Sequence, residues 1–349
     1  MARQAVQSSD AKRQAFYDKL APQDLAPLWE VLKAIILPTP KSACVPHVWR
    51  NQAYKPLLME AGGLLTAEEA ERRVLVLENP ALPGQSKITN SLYAGVQLIL
   101  PGEIAPAHRH TSSALRFVLE SDGGYTSVAG ERTTMKRGDF IITPNMGWHD
   151  HGQEQKSPVM WVDGLDLHMV NFFDSGFMDH MNDKSQIISK PEGDSHARFG
   201  SGMAPMNSQS PFGITTPIFN YTYANSRPAL MGFTAGSESD PHLAFTLRYT
   251  NPLTGDWALP TIATWLTHYP RGLETKPMRS TDGQVIIVVE GEITLSVDGK
   301  MMSLGESDIG VIPAWTTKQI RASKDAIVFT FSDRSAQEKL GFYREERLK

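Results

Sequence analysis

The chain has 349 residues, 41% hydrophobic and 21% charged, with a formal net charge of −4. That is the composition of a globular protein long enough for two cores, and without a block of basic residues it excludes nucleic acid as an expected partner. No run approaches the ~18 apolar residues that span a bilayer, Met1–Asp10 is polar and gives no expectation of a signal peptide, and with Cys44 as the only cysteine a reducing, cytosolic compartment is expected.

Residues 1–85 read as mostly helical. Ser9 and Asp10 are positioned to cap a helix through Ala15, Phe16 and Leu20. Leu25–Leu37 carries apolar residues at helical spacing, and Pro38 and Pro40 end it. Thr66-Ala-Glu-Glu is a capping-box signal, after which Arg73–Glu78 alternates as a strand leading into a first barrel. Cys44 has no catalytic motif around it and reads as a packing residue.

From Ser91 the pattern turns to short strands: Val96–Leu100, Ala114–Leu119, Tyr125–Val128, Phe140–Thr143 and Val159–Val162. Four of the ten histidines fall in this block, as two pairs of His-x-His spacing, His108/His110 and His149/His151. In a strand, side chains at i and i+2 share a face, so each pair presents two imidazoles on one barrel wall. Gly102 before the first pair, and Gly138, Pro144 and Gly147 before the second, suit the turns of a small antiparallel barrel. Three neutral imidazoles on adjacent strands hold a divalent metal and leave coordination positions open. A straight strand keeps His151 available as a fourth ligand. His47, His168, His180, His196 and His242 have no partner at ligand spacing, and Asp150 reads as exposed.

The Gly-, Pro-, Ser- and Asn-rich stretch from 182 to 237 reads as a long connection, and residues 181–255 are expected to link two barrels. Thr261–Ser332 then repeats the first block. Val118-Leu-Glu120 matches Val288-Val-Glu290, Gly130-Glu131 matches Gly299-Lys300, Pro144 matches Pro313, and Trp148 lies near the place of Trp315. Met278, Ser280 and Lys318 stand where His108, His110 and His149 stand, so the second barrel (256–349) is expected to carry no metal and the first (86–180) to carry it. His268 alone makes no site.

The two blocks resemble the halves of a bicupin, with Gly102, His108 and His110 matching the first cupin motif and Gly138, Pro144, Gly147 and His149 the second. Ala114 and Leu115 take the places of the usual glutamate, which removes a carboxylate ligand. With this departure, the stretches HRHTSSALRF, GERTTMKRGDFIITP and WHDHG resemble the gentisate 1,2-dioxygenase family, whose relatives include salicylate and 1-hydroxy-2-naphthoate dioxygenases. The resemblance implies a mainly β bicupin with a helical N-terminal region. It also implies Fe(II) on His108, His110 and His149, with dioxygen and an aromatic hydroxy acid as substrates, and a homotetramer.

Arg116, six residues after His110, shares its face if the strand stays regular, and a buried guanidinium there pairs with a substrate carboxylate or with an internal acid. Of Arg72 and Arg73, the resemblance implies Arg72 as a second substrate contact, Tyr93 beside the substrate ring, and His151 as a hydrogen-bonding residue in the site. Asp163 is expected to take a proton, to orient a histidine, or to be a turn residue before Gly164. The rival readings are a salicylate or 1-hydroxy-2-naphthoate dioxygenase, and a metal-binding cupin without redox chemistry, such as an isomerase or a binding module.

Overall fold

The computed structural model describes residues 2–349. Residues 1–41 and 42–349 form two compact units. In the first, a helix spans Ala2–Leu20 and a second spans Leu28–Ile35. Ser9 and Asp10 therefore lie inside the first helix rather than capping it, because the Ala- and Gln-rich residues before them are themselves good helix formers. Trp29 donates to the Tyr17 hydroxyl at 2.8 Å, and Phe16 stacks on Trp29.

The larger unit holds two barrels, each made of a six-stranded and a five-stranded antiparallel sheet. In the first barrel the six-stranded sheet runs Asn220–Tyr221, Phe140–Thr143, Ala114–Glu120, Val159–Leu165, Tyr93–Ile99, Val74–Val76. Its partner sheet runs Met178–His180, Ile104–His110, His149–Gln153, Asp122–Val128, Glu131–Lys136. The second barrel repeats this order, His47–Trp49, Ile309–Ile312, Gln284–Glu290, Ala326–Ser332, Ala263–Tyr269, Phe245–Arg248 in one sheet. The outer strands are exchanged across the chain. His47–Trp49, which precedes the first barrel, pairs with Ile309–Ile312 of the second, and Asn220–Tyr221 from the connection pairs with Phe140–Ile141 of the first.

The repeat extends to individual turns. Ala129-Gly130 and Asp298-Gly299 both take positive φ at two-residue hairpins, Val128↔Glu131 and Val297↔Lys300, the backbone twist that such hairpins need. Thr66 and Glu69 form the expected capping box, on a helix of only four residues. The stretch 182–237 is more ordered than a connection. Helices cover Asp194–Phe199 and Tyr223–Gly236, the latter tolerating Pro228, because Leu230 of that helix buries against the shared core.

The six-stranded sheets of the two barrels share one apolar core, in which Phe117 and Phe329 stack with centroids 4.2 Å apart. Each barrel also has an interior of its own. The second is lined by fourteen buried apolar residues, the first by seven. The deficit follows from register. Arg116 and Thr126–His151 of the first barrel take the places of Ile286 and Leu295–Ile320 in the second. Among the described residues no helix is long and apolar enough to cross a membrane.

Gly164, next to Asp163, is where the second barrel touches the back of the first. A Cβ there would lie 2.8 Å from the Phe331 ring. Gly164→Ala is expected to cost about 1–3 kcal/mol by overpacking and Phe331→Ala about 3–5 kcal/mol by cavity formation, read from urea unfolding midpoints. A midpoint unchanged in both would show that the barrels do not rely on this contact.

Candidate functional site

His108 and His149 are direct cross-strand partners in the five-stranded sheet, and His110 lies two residues further along the same face. The result is three imidazoles with ring centroids 4.4, 5.0 and 5.3 Å apart. One nitrogen of each lies within 4.8 Å of the other two. Hydrogen bonds fix two of the three rings. His149 Nδ1 donates to the Gly147 carbonyl at 2.9 Å and His110 Nδ1 to the Ser112 carbonyl at 2.7 Å, so Nε2 carries the lone pair in both. His149 Nε2 is fully buried with no hydrogen-bond partner.

Burial first, and the neighbouring guanidiniums second, hold these imidazoles neutral. His108 is pushed down to about 2 and His110 to about 4, and His149 is driven well below the ordinary range. Neutral imidazole is the ligand form. A buried, partnerless acceptor in a set of three converging nitrogens fits a divalent ion, and no carboxylate stands with them, since Ala114 lies at the same cavity wall.

The triad opens on a cavity of about 270 Å³, walled by Arg72, Tyr93, Gln97, Arg116 and Asp163. Arg116 does not share a strand with His110. The chain turns at Thr111–Ser113, where Asp166 accepts from the Ser113 amide at 2.8 Å, and Arg116 rises from the facing sheet. It is buried, donates to the Thr143 hydroxyl, and its Nε lies 3.5 Å from Asp163 Oδ1 with no hydrogen bond of its own.

Asp163 and Arg116 are cross-strand partners, and Asp163 also accepts from Trp161 Nε1 at 2.8 Å. No histidine is among the partners of Asp163. Burial raises this carboxyl to about 6, opposed by the Arg116 guanidinium. The two arginines at the head of the Val74–Val76 strand point opposite ways. Arg72 faces the cavity and donates to the Pro106 carbonyl and to His108 Nδ1, both at 2.8 Å. Arg73 is locked on the other side by Glu103 and the Leu65 carbonyl. The Arg72 bond takes the His108 lone pair, so a metal and Arg72 compete for that ring.

Tyr93 lies on the cavity wall. His151 does not join the triad. It is wholly buried behind His149 and packs on Trp161 at 5.2 Å. Its Nδ1 lies 2.7 Å from the Thr126 hydroxyl, which donates to the Asp150 carbonyl, and its Nε2 has no partner. Asp150 is buried, not exposed, because its carboxylate accepts from the Gln186 backbone and side-chain amides. His180 sits in strand pairing beside His108, with ring centroids 6.3 Å apart, through the strand Met178–His180 that no apolar alternation announces. Gln97, which no motif announces beyond being a lone amide in an otherwise apolar strand, is buried in the cavity wall with its Nε2 unpartnered.

Residues 95–165 match the cupin domain model. The chain is 50% identical over 336 residues to gentisate 1,2 dioxygenase 1 of Aquipseudomonas alcaligenes, covering 96% of each. It is 35% identical to a gentisate 1,2-dioxygenase of Ralstonia sp, covering 95% of this chain and 93% of the relative. The chain belongs to the gentisate 1,2-dioxygenase family. Salicylate 1,2-dioxygenase from Pseudoaminobacter salicylatoxidans, solved with gentisate, superposes on it with a TM-score of 0.90 at 30% identity, covering 96% of this chain and 94% of that one. The protein is therefore a bicupin of the ring-cleaving dioxygenases, with three histidines in its first barrel placed so that they could hold a metal ion.

For this family member, His108→Ala is expected to lower metal affinity at least tenfold, whereas Arg72→Met should raise it about fivefold, or ~1 kcal/mol, by removing both a competitor and a like charge. Metal titration by competition with a chelator measures both, and unchanged affinity in both variants would remove the triad. Asp163 supplies a pH prediction. Below pH 6 its carboxyl is neutral and Arg116 is free for an anion, and above pH 6 the carboxylate competes for it. Affinity for an aromatic carboxylate at the Arg116-dependent site should thus fall roughly tenfold as pH rises from 5 to 7.5. The fall should flatten in Asp163→Asn, and an equal slope in that variant would reject the assignment.

Proposed function

We propose that the protein is an Fe(II)-dependent dioxygenase. It opens the ring of gentisate (2,5-dihydroxybenzoate) between the carboxyl-bearing and hydroxyl-bearing carbons, giving maleylpyruvate. One observation carries this reading: a three-imidazole set without a carboxylate faces two guanidiniums across a cavity of about 270 Å³. Such a set leaves an ion its full positive charge and several open positions, which suits an anionic chelating substrate together with dioxygen. Fe(II) held by His108, His110 and His149 would supply the one-electron chemistry that lets dioxygen react with an aromatic ring.

The chain's own residues would do the rest. Arg116 and Arg72 fork onto the substrate carboxylate and fix its orientation. Asp163, held by Trp161, sets the position of Arg116 and offers a carboxylate near neutral pH to take the proton of a ring hydroxyl. Tyr93 brings a phenol to the ring edge, a partner for the second hydroxyl that gentisate has and salicylate lacks. His151, with Nδ1–H turned to Thr126 and burial holding the ring neutral, keeps its Nε2 lone pair to accept a hydrogen bond inside the barrel. The buried strand faces around them exclude water.

Association into an oligomer, a tetramer by family resemblance, is part of the same proposal. The exposed rings of Phe172, Phe173, Phe177 and Phe342 support it. A cytoplasmic location is proposed from the single cysteine.

Oxygen uptake by the Fe(II)-loaded protein tests the reaction. One dioxygen consumed per gentisate, with both atoms in an open-chain product, is expected. Uptake with salicylate, 5-aminosalicylate or 1-hydroxy-2-naphthoate but not gentisate would change the substrate. No uptake with any of these, despite bound iron, would sink the dioxygenase reading in favour of non-redox cupin chemistry.

A further inference from the structure

The second barrel keeps a cavity at the same end as the first. It too measures about 270 Å³, and it is lined by Arg248, Trp257, Trp265, Lys318, Arg334 and Tyr343, among others. Register makes the correspondence explicit. Lys318 pairs with Met278 and Val297 as His149 pairs with His108 and Val128. Trp265 pairs with Thr330 and Arg248 where Gly95 pairs with Asp163 and Val76. The cavity thus lies where the three-histidine cluster lies in the first barrel, with Met278, Ser280 and Lys318 in place of the imidazoles and an indole, Trp265, in place of Gly95.

Its charges do not balance. Three cations line it, and the one carboxylate among the lining residues, Glu338, is held by Arg334 at 2.7 Å and by Trp257 Nε1. Lys318 has one hydrogen-bond acceptor, Gln284 Oε1 at 2.5 Å, for three donors. Asp282 and Glu345 act on it from further away, but Asp282 is turned to Ser280 and the Gln284 amide, and Glu345 to Arg347, Tyr343 and, at 3.8 Å, Arg334. Arg248 donates only to the Gly255 carbonyl and lies over the Trp257 ring, 5.3 Å from its centroid. For Lys318, a cation drawn into a protein interior with unfilled donors is costly unless an anion completes it, whereas Arg248 at the exposed rim keeps its free donors in water and open to a ligand. Burial pushes the Lys318 ammonium below its ordinary value, as expected of a cation short of a partner. The aromatic walls add an apolar surface on which a planar ring stacks.

We propose that this cavity is a second ligand site, specific for a small aromatic carboxylate. The carboxylate meets Lys318 and Arg248, and the ring lies against Trp265 and Tyr343. The site needs no metal and stands apart from the chemistry of the first barrel. It gives the protein two places for aromatic acids, one that transforms and one that only binds.

Calorimetric titration of the full-length, metal-loaded protein with benzoate tests this. Two benzoates per chain are expected. Lys318→Met should leave one, and Arg116→Met should leave the other. Arg248→Gln, at an exposed side chain, should weaken the second site five- to tenfold without disturbing the fold, and keeps the test open if Lys318→Met fails to fold. One benzoate per chain in the unaltered protein, lost only with Arg116→Met, would overturn the proposal, as would two sites unchanged by both second-barrel substitutions. Maleate bound as tightly as benzoate at the second site would overturn the aromatic specificity. None of these outcomes depends on oxygen uptake, so failure here is distinct from failure of the dioxygenase reading.

Discussion

The pairing of His108 with His149 across two antiparallel strands is the contact on which the site depends. Because side chains alternate along a strand, this one register places His110 on the same face as His108 and brings a third nitrogen into reach. A slip by one residue in either strand would turn that strand's imidazoles out of the barrel and break the set. Two features hold the register: the irregularity between Ala105 and His108, and the carbonyls of Gly147 and Ser112 that take the Nδ1 protons.

That register has an energetic consequence. The first barrel places Arg116, Asp163, His149 and His151 where its repeat places Ile286, Thr330, Lys318 and Ile320. Its private apolar interior is correspondingly half the size of the other's. Polar interiors are stable only when their groups are paired, and here several stay open: Arg116 Nε, Gln97 Nε2, His149 Nε2 and His151 Nε2. The compensation comes from outside the barrel. The six-stranded sheets of both barrels bury a common core, and Phe331 of the second lies against Gly164 beside Asp163. The second barrel is thus the packing partner that allows the first to keep an unsatisfied, chemically active interior.

The cavity's electrostatics follow from the same arrangement. Two guanidiniums and three imidazoles converge with a single carboxyl, Asp163, among them, and burial drives every histidine toward its neutral form. Positive charge is concentrated in fixed arginines while the rings are left as lone-pair donors, which separates the tasks of anion binding and metal binding. Arg72 touches both, through its hydrogen bond to His108.

The sequence by itself determined the barrel repeat, the histidine-bearing strands and the absence of the three histidines from the second half. These are written in local periodicity, turn glycines and His-x-His spacing, which need no knowledge of distant contacts. It also reached Arg116, but on the assumption of one regular strand. Only the tertiary structure showed that the chain turns a corner at Thr111–Ser113 and that Arg116 enters from the opposite sheet. The choice between Arg72 and Arg73 was likewise tertiary, because two adjacent strand residues differ only in which side is the inside. So were the burial of Asp150 under Gln186, the exclusion of His151 from the triad, and the place of Gln97 in the cavity wall. The exchanged outer strands were invisible for the same reason: pairing between residues such as His47 and Val311 is decided by the closed shape of two packed barrels, not by anything local to either segment.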